Sequence, residues 1–182
     1  SDGGAYDKFM GVWSRIVGRK FLDWLSPDTG QKWIDVGCGS GAFTEQIFKN
    51  CEPQEVHGLD PSRAQLSFAQ SQESLVRAHF HTGDATDLPF GSDRFDVSTM
   101  ALVIFFVPEP EKGLAEMKRV VRPGGVVSAY VWDIFDGGFP LEPIHSVLRM
   151  KGIEYPLPPR AEASRMKNLK CLWSSAGLGS VE

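Results

Sequence analysis

The chain has 182 residues, of which 42% are hydrophobic and 23% charged, and its formal net charge is −4. Such proportions fit one globular domain that buries its own core, and they exclude disordered, collagenous and fibrous chains. The acidic balance argues against a nucleic-acid binder, and no apolar run approaches the ~18 residues of a spanning helix.

Residues 1–31 carry Tyr6, Phe9, Met10, Trp13, Ile16 and Val17 at three- and four-residue spacing, with Phe21, Trp24 and Leu25 continuing the stripe. This predicts an amphipathic helix that ends at Ser26-Pro27. It packs on a core or covers a ligand, with Tyr6 and Trp13 reaching inward. From Lys32 the rhythm changes to short strands at 32–36, 55–59, 78–82, 95–103 and 126–132, alternating with helices at 41–50, 62–73 and 109–121. That alternation predicts right-handed crossovers and a mostly parallel, doubly wound sheet, and runs such as ALVIFFV fit burial on both faces. Residues 133–160 are rich in glycine and proline with a short helix near 144–150, which reads as an insertion; a last helix is expected over 161–176.

The most informative segment is WIDVGCGSGAFT, Trp33 to Thr44. Its strand ends at Val36, then Gly37, Gly39 and Gly41 lead into a helix. Glycines at a strand-to-helix turn let a ligand approach the backbone closely, in the crevice at the carboxyl ends of the strands. The loop formally fits the dinucleotide pattern, which alone is weak. Asp35, two residues before Gly37, would repel a pyrophosphate but suits a ligand with an ammonium and a sulfonium. Asp60, closing EVHGLD 23 residues after Gly37, can accept both hydroxyls of an adenosine ribose or cap the next helix. In GDATDLPF, Asp84 can accept an adenine amine and the amide of Ala85 can donate to a ring nitrogen.

With VGCGSG, GLDPS, GDATDLPF, FDVSTMALVIFFVPEP and RVVRPGG in this order, residues 30–132 resemble the class I S-adenosylmethionine-dependent methyltransferases. The similarity is greatest to the small-molecule branch of ubiquinone and menaquinone biosynthesis. It implies a Rossmann-like α/β fold and S-adenosylmethionine as cofactor. It also implies that Asp35 and the loop Gly37, Cys38, Gly39, Gly41 hold the methionine end, Asp60 and Pro61 the ribose, and Asp84 and Ala85 the adenine. Met100 would lie near the cofactor's amino-acid part, and YDKFMGVWSR resembles the branch's cofactor-covering helix, which favours Tyr6 and Trp13. The whole chain then reads as one methyltransferase domain: a helical lid at 1–31, a cofactor core at 32–132, a substrate-cap insertion at 133–160, and a last helix and the start of a truncated strand at 161–182.

Many relatives carry a histidine near 105–106, where this chain has Phe105 and Phe106. Four histidines remain: His57, His79 and His81 read as strand residues that pack or meet solvent, and His145 lies in the insertion. No catalytic base is assigned. Methyl transfer needs alignment and water exclusion first, and a base only where the acceptor holds its proton tightly. Tyr6, Trp13, Phe105, Phe106 and Trp132 near the mouth suggest a small apolar or aromatic acceptor. Cys38, Cys51 and Cys171 are odd in number and lack metal-ligand spacing, which predicts no metal and a reduced, cytoplasmic setting. Cys38 fills a tight turn or, at a helix N-terminus, is a reactive thiol. The basic residues between Arg149 and Lys170 form a solvated face or a patch for an anionic substrate. Two rival functions stand beside methyl transfer: a cofactor-binding module without catalysis, and an NAD-dependent oxidoreductase, against which no Tyr-x-x-x-Lys pair occurs.

Overall fold

A computed structural model describes residues 3–182, with side chains from Gly11 onward. The element order is α1 (Gly3–Leu25), β1 (Lys32–Val36), α2 (Ala42–Cys51), β2 (Glu55–Asp60), α3 (Arg63–Gln70), β3 (His79–Thr82), β4 (Phe95–Ala101), α4 (Pro110–Val120), β5 (Val121–Tyr130), α5 (Glu142–Met150) and α6 (Met166–Ser175). The five strands form one sheet in the order β3-β2-β1-β4-β5, and every pairing is parallel. This is the doubly wound α/β arrangement expected of alternating strands and helices. The strand order reverses between β1 and β4, where such folds open a crevice above the strand ends.

Helices cover both faces, so the central strands are apolar along most of their length. Trp33, Ile34 and Val36 of β1 are fully buried, as are Val97 and Met100 of β4. On one face Phe21 and Leu22 of α1 pack with Phe43 and Ile47 of α2 over Trp33, Val56 and Val97. The Phe21 ring lies 4.7 Å from that of Tyr130 and 6.1 Å from that of Phe43. On the other face Leu114, Met117 and Val120 of α4 cover β4, and Leu169, Leu172 and Trp173 of α6 pack beside them. Pro110 at the start of α4 sits where its missing N–H costs nothing.

Four expectations are revised. Strand β4 stops at Ala101 because Leu102 adopts a positive φ of 63°, and the chain turns into a short 3-10 helix, Ile104–Phe106. Strand β5 begins at Val121, not 126, and stops at Tyr130: Val121 pairs with Phe95, Arg122 to Gly125 bulge out, and pairing resumes between Val126 and Val97. The helix expected over 62–73 closes at Gln70, with a separate 3-10 turn at Glu73–Leu75. The last helix is divided by Arg165, whose extended ψ of 129° separates a 3-10 turn, Ala161–Ser164, from α6.

Strand β5 forms one edge of the sheet, and the other edge is β3. The indole Nε1–H of Trp173 donates to the carbonyl of Val127 at 2.9 Å, so α6 occupies part of the β5 edge. Among the described residues no helix is long and apolar enough to cross a membrane.

Candidate active site

The glycine loop sits at the carboxyl end of β1, where its first amides are tied to the neighbouring strand: Gly37 N–H and Cys38 N–H both donate to the carbonyl of Leu59, at 2.7 and 3.0 Å. Gly37, Gly39 and Gly41 all have positive φ, 79°, 52° and 83°. Two of them differ in a way that matters. A Cβ on Gly37 would lie 2.5 Å from the Val103 side chain, so this glycine is needed for packing. A Cβ on Gly39 would meet nothing within 4 Å. The space above Gly39 is open, as a loop that cradles a ligand requires.

Asp35 is fully buried beneath this loop. Its Oδ2 accepts from the Thr44 hydroxyl at 2.7 Å, whereas Oδ1 has no partner. Burial raises its pKa from 3.8 to about 7; the Thr44 hydrogen bond lowers it and the charge of Asp60 raises it further. A buried carboxylate oxygen without a partner is costly, and a cation bound here would relieve that cost. Asp60, at the end of β2, is also buried. One carboxylate oxygen accepts from the Gly39 amide at 2.9 Å, the other from the Ser62 amide at 2.8 Å. It therefore braces the loop from the second strand. The helix cap itself is Ser62, whose hydroxyl accepts from the amide of Gln65.

The other sequence candidates spread around this pair. Pro61 is exposed beside Asp60, and Ala85 is half-buried. Asp84 is exposed, and its Oδ1 accepts from both the amide and the hydroxyl of Thr86, at 2.8 and 2.6 Å, which pushes its pKa down. Met100 is fully buried against α4, its Cε methyl near Gly113, so its side chain is turned into the core. Trp13 is 52% exposed, so α1 does not bury its ring. The Tyr6 side chain lies outside the described residues. The Cys38 thiol is buried, and burial together with the charges of Asp35 and Asp60 pushes its pKa well up. Its burial and raised pKa favour the packing role over a reactive thiol. Thr44 and Thr86, which orient two of the aspartates, are residues that sequence reasoning missed. The only signal for Thr44 was its place in the first turn of the helix after the loop.

A cavity of about 430 Å³ lies past the end of β4, where Leu102 lines it. Leu102, Phe105, Phe106, Trp132, Phe139 and His145 are among its walls. Leu102 follows β4 directly and precedes Val103, the residue that touches Gly37. Within the wall the His145 and Tyr155 rings stack at 3.9 Å. The Nε1–H of Trp132 and Nδ1 of His145 are buried without hydrogen-bond partners. The basic residues nearby are engaged locally. Arg149 binds Glu142 and Tyr155, Arg160 donates to the Pro108 carbonyl, and Arg165 binds Glu162. The patch for an anionic substrate is therefore already neutralised or tethered at these three positions.

Residues 34–129 match the methyltransferase domain family. The chain is 43% identical over 93 residues to 2-methyl-6-phytyl-1,4-hydroquinone methyltransferase 2 of Oryza sativa subsp. japonica, a match covering 51% of this chain and 27% of that protein. It is 34% identical over 115 residues to the ubiquinone/menaquinone biosynthesis C-methyltransferase UbiE of Roseobacter denitrificans, covering 61% of this chain and 46% of that one. The chain thus spans under half the length of these two curated relatives. Among solved structures, a SAM-dependent methyltransferase of Thermotoga maritima superposes with a TM-score of 0.74 at 21% identity, covering 97% of this chain and 78% of that one, which bears on the fold alone. The matched segment runs from the third residue of the glycine-loop strand to the penultimate residue of β5, and through it the chain belongs to the methyltransferase domain family.

Proposed function

We propose that this protein binds S-adenosylmethionine in the crevice above β1 and β2 and transfers its methyl group to a small aromatic acceptor. The observation that carries this reading is the glycine loop with a buried, half-satisfied carboxylate beneath it, together with an aromatic-walled cavity of about 430 Å³ past the end of the neighbouring strand β4. Its volume falls in the ordinary range for small-ligand pockets. The residues fit the cofactor. Asp35 Oδ1 lacks a partner and the position of a Gly39 Cβ is empty, which suits a cationic ligand lying close to the backbone. The bound cofactor supplies an electrophilic methyl group on a positively charged sulfur.

In this reading the Asp35 carboxylate offsets the cofactor's positive charge, and the backbone of Gly37, Cys38, Gly39 and Gly41, open above Gly39, lines its amino-acid end. Asp60 accepts from the ribose hydroxyls with the lone pairs its two amide partners leave unused, with Pro61 beside it. Asp84 and Ala85 take the adenine edge. Met100 contributes through its main chain, since its side chain is turned inward, and the covering role falls to Tyr6 and Trp13 of α1. Phe105, Phe106 and Phe139 exclude water and hold a flat acceptor near the methyl carbon, the condition under which proximity supplies most of the rate. The relatives' names, a hydroquinone methyltransferase and a ubiquinone/menaquinone biosynthesis C-methyltransferase, support a hydroquinone-type acceptor with carbon as the attacked atom.

The test has two stages. Thermal unfolding with S-adenosylmethionine, S-adenosylhomocysteine and NAD should show stabilisation by the first two only. At 100 times the dissociation constant a ligand adds about 2.7 kcal/mol. Mass spectrometry of mixtures with short-chain alkylated hydroquinones should then show a ring-methylated product. Stabilisation without any methylated product across hydroquinones and simple phenols would overturn the catalytic reading, and stabilisation by NAD alone would overturn the cofactor.

A further inference from the structure

The β3 edge of the sheet holds a cluster that methyl transfer does not use. Register places His57 of β2 opposite His79 of β3, with His81 two residues further along on the same face. The His57 ring lies 4.9 Å from that of His79 and stacks on that of His81 at 5.0 Å. Glu55, at the start of β2, reaches the same point. Its Oε1 is 2.6 Å from His57 Nε2, and the other His57 nitrogen, Nδ1, is 2.8 Å from His81 Nε2. One donor atom each from Glu55, His57 and His79 lies within 4.8 Å of the others. Phe90 and Phe95 close the inner side, edge-on to His57 at 5.4 and 5.3 Å. His57 is buried and His79 exposed, so the cluster is backed by apolar rings and open to solvent at the strand edge.

We propose that Glu55, His57 and His79 form a binding site for a divalent transition-metal ion with the ligand preferences of zinc. Two imidazoles and one carboxylate, with a fourth position open to water, form the donor set such ions favour. Metal–nitrogen bonds of about 2.0–2.1 Å set tetrahedral donors about 3.3 Å apart. The exposed His79 ring therefore swings inward, and the close Glu55–His57 pair opens. One His57 nitrogen faces Glu55 and the other faces His81; ligation through Nε2 would put the His57 proton on Nδ1, where it donates to His81 Nε2, the usual role of a partner behind a metal-bound histidine. Without metal, Arg94, 2.6 Å from Glu55 Oε1, holds the carboxylate in place.

The site lies at the opposite sheet edge from β5 and shares no residue with the proposed cofactor crevice, so its test does not depend on methyl transfer. The untagged chain, freed of metal with a chelator, is titrated with Co²⁺ and read by visible d–d absorption. Zn²⁺ is then measured by competition with a chromophoric indicator. The expected result is one saturable equivalent of each ion. His79→Gln, on the exposed edge, should weaken binding about tenfold or more with an unchanged circular dichroism spectrum. His145→Gln, altering the one histidine outside the cluster, should leave it unchanged. Absence of saturable uptake by the parent chain, or equal affinity in His79→Gln, overturns the proposal.

Discussion

Replacing Asp35 with asparagine should stabilise the ligand-free protein at alkaline pH while costing it the cofactor. Asp35 is fully buried, and its pKa rises from 3.8 to about 7, chiefly through desolvation. The sign follows from comparing the two states. The unfolded chain gives up this proton near pH 3.8 and the folded chain only near pH 7, so the native state loses stability as pH rises between them. The difference of about 3 pH units corresponds to about 4 kcal/mol above pH 7, at 1.36 kcal/mol per unit. At pH 5 the penalty is only about 1.6 kcal/mol. Asparagine removes the titration, and the Thr44 bond to the ionised carboxylate is already contained in the folded pKa of about 7. The stability of Asp35→Asn relative to the parent should therefore shift in the variant's favour by roughly 2–3 kcal/mol between pH 5 and pH 8. Urea unfolding of both proteins at the two pH values measures it. A stability difference that stays constant across this range would refute the assigned desolvation. The same variant should bind S-adenosylhomocysteine, which keeps the ammonium, far more weakly in calorimetric titration.

The loop glycines separate packing from binding. Gly37→Ala drives a Cβ into Val103 and should destabilise the fold by roughly 1–3 kcal/mol in denaturant titrations. Gly39→Ala meets no protein atom and should cost only about 1 kcal/mol of backbone strain while abolishing measurable cofactor affinity; retained affinity would remove the cradle. Asp60→Ala strips partners from the Gly39 and Ser62 amides. It should both weaken S-adenosylhomocysteine binding strongly and lower stability by about 1–3 kcal/mol, whereas unchanged affinity would end the ribose assignment. Phe106 is 57% exposed on the cavity wall. Phe106→Ala should leave the melting temperature within about 2 °C and raise KM for an aromatic hydroquinone with cofactor affinity unaltered; an unchanged KM would place the acceptor elsewhere.

The parts of this molecule legible in its sequence are those where local chemistry and long-range packing agree. KWIDV is apolar and precedes a glycine turn, and it forms the strand both signals indicate. RPGG sends the opposite message locally, a turn, yet Val121 already pairs with Phe95 and the glycines form a bulge inside the strand. The stripe on α1 was visible, but its contact face was not. Phe21 and Leu22 are buried, while Trp13, Ile16 and Trp24 remain substantially exposed, because periodicity marks a face without saying what covers each turn. Asp35, the loop and Asp60 converge at the strand ends where their order placed them. Thr44 and Thr86 were invisible since a hydroxyl's partner is chosen by three-dimensional approach. The His57 cluster escaped for the same reason: register across two parallel strands, 22 residues apart in sequence, creates it.

The bond from the Trp173 indole to the Val127 carbonyl gives the β5 edge a latch. Any strand that extends the sheet on this side must compete with an indole already seated on one of its hydrogen-bonding positions, and displacing it forfeits about 1 kcal/mol of hydrogen-bond energy. Sheet growth at β5 is therefore coupled to movement of α6, and the latch carries its own fluorophore: a change in Trp173 emission would report the edge opening as it happens.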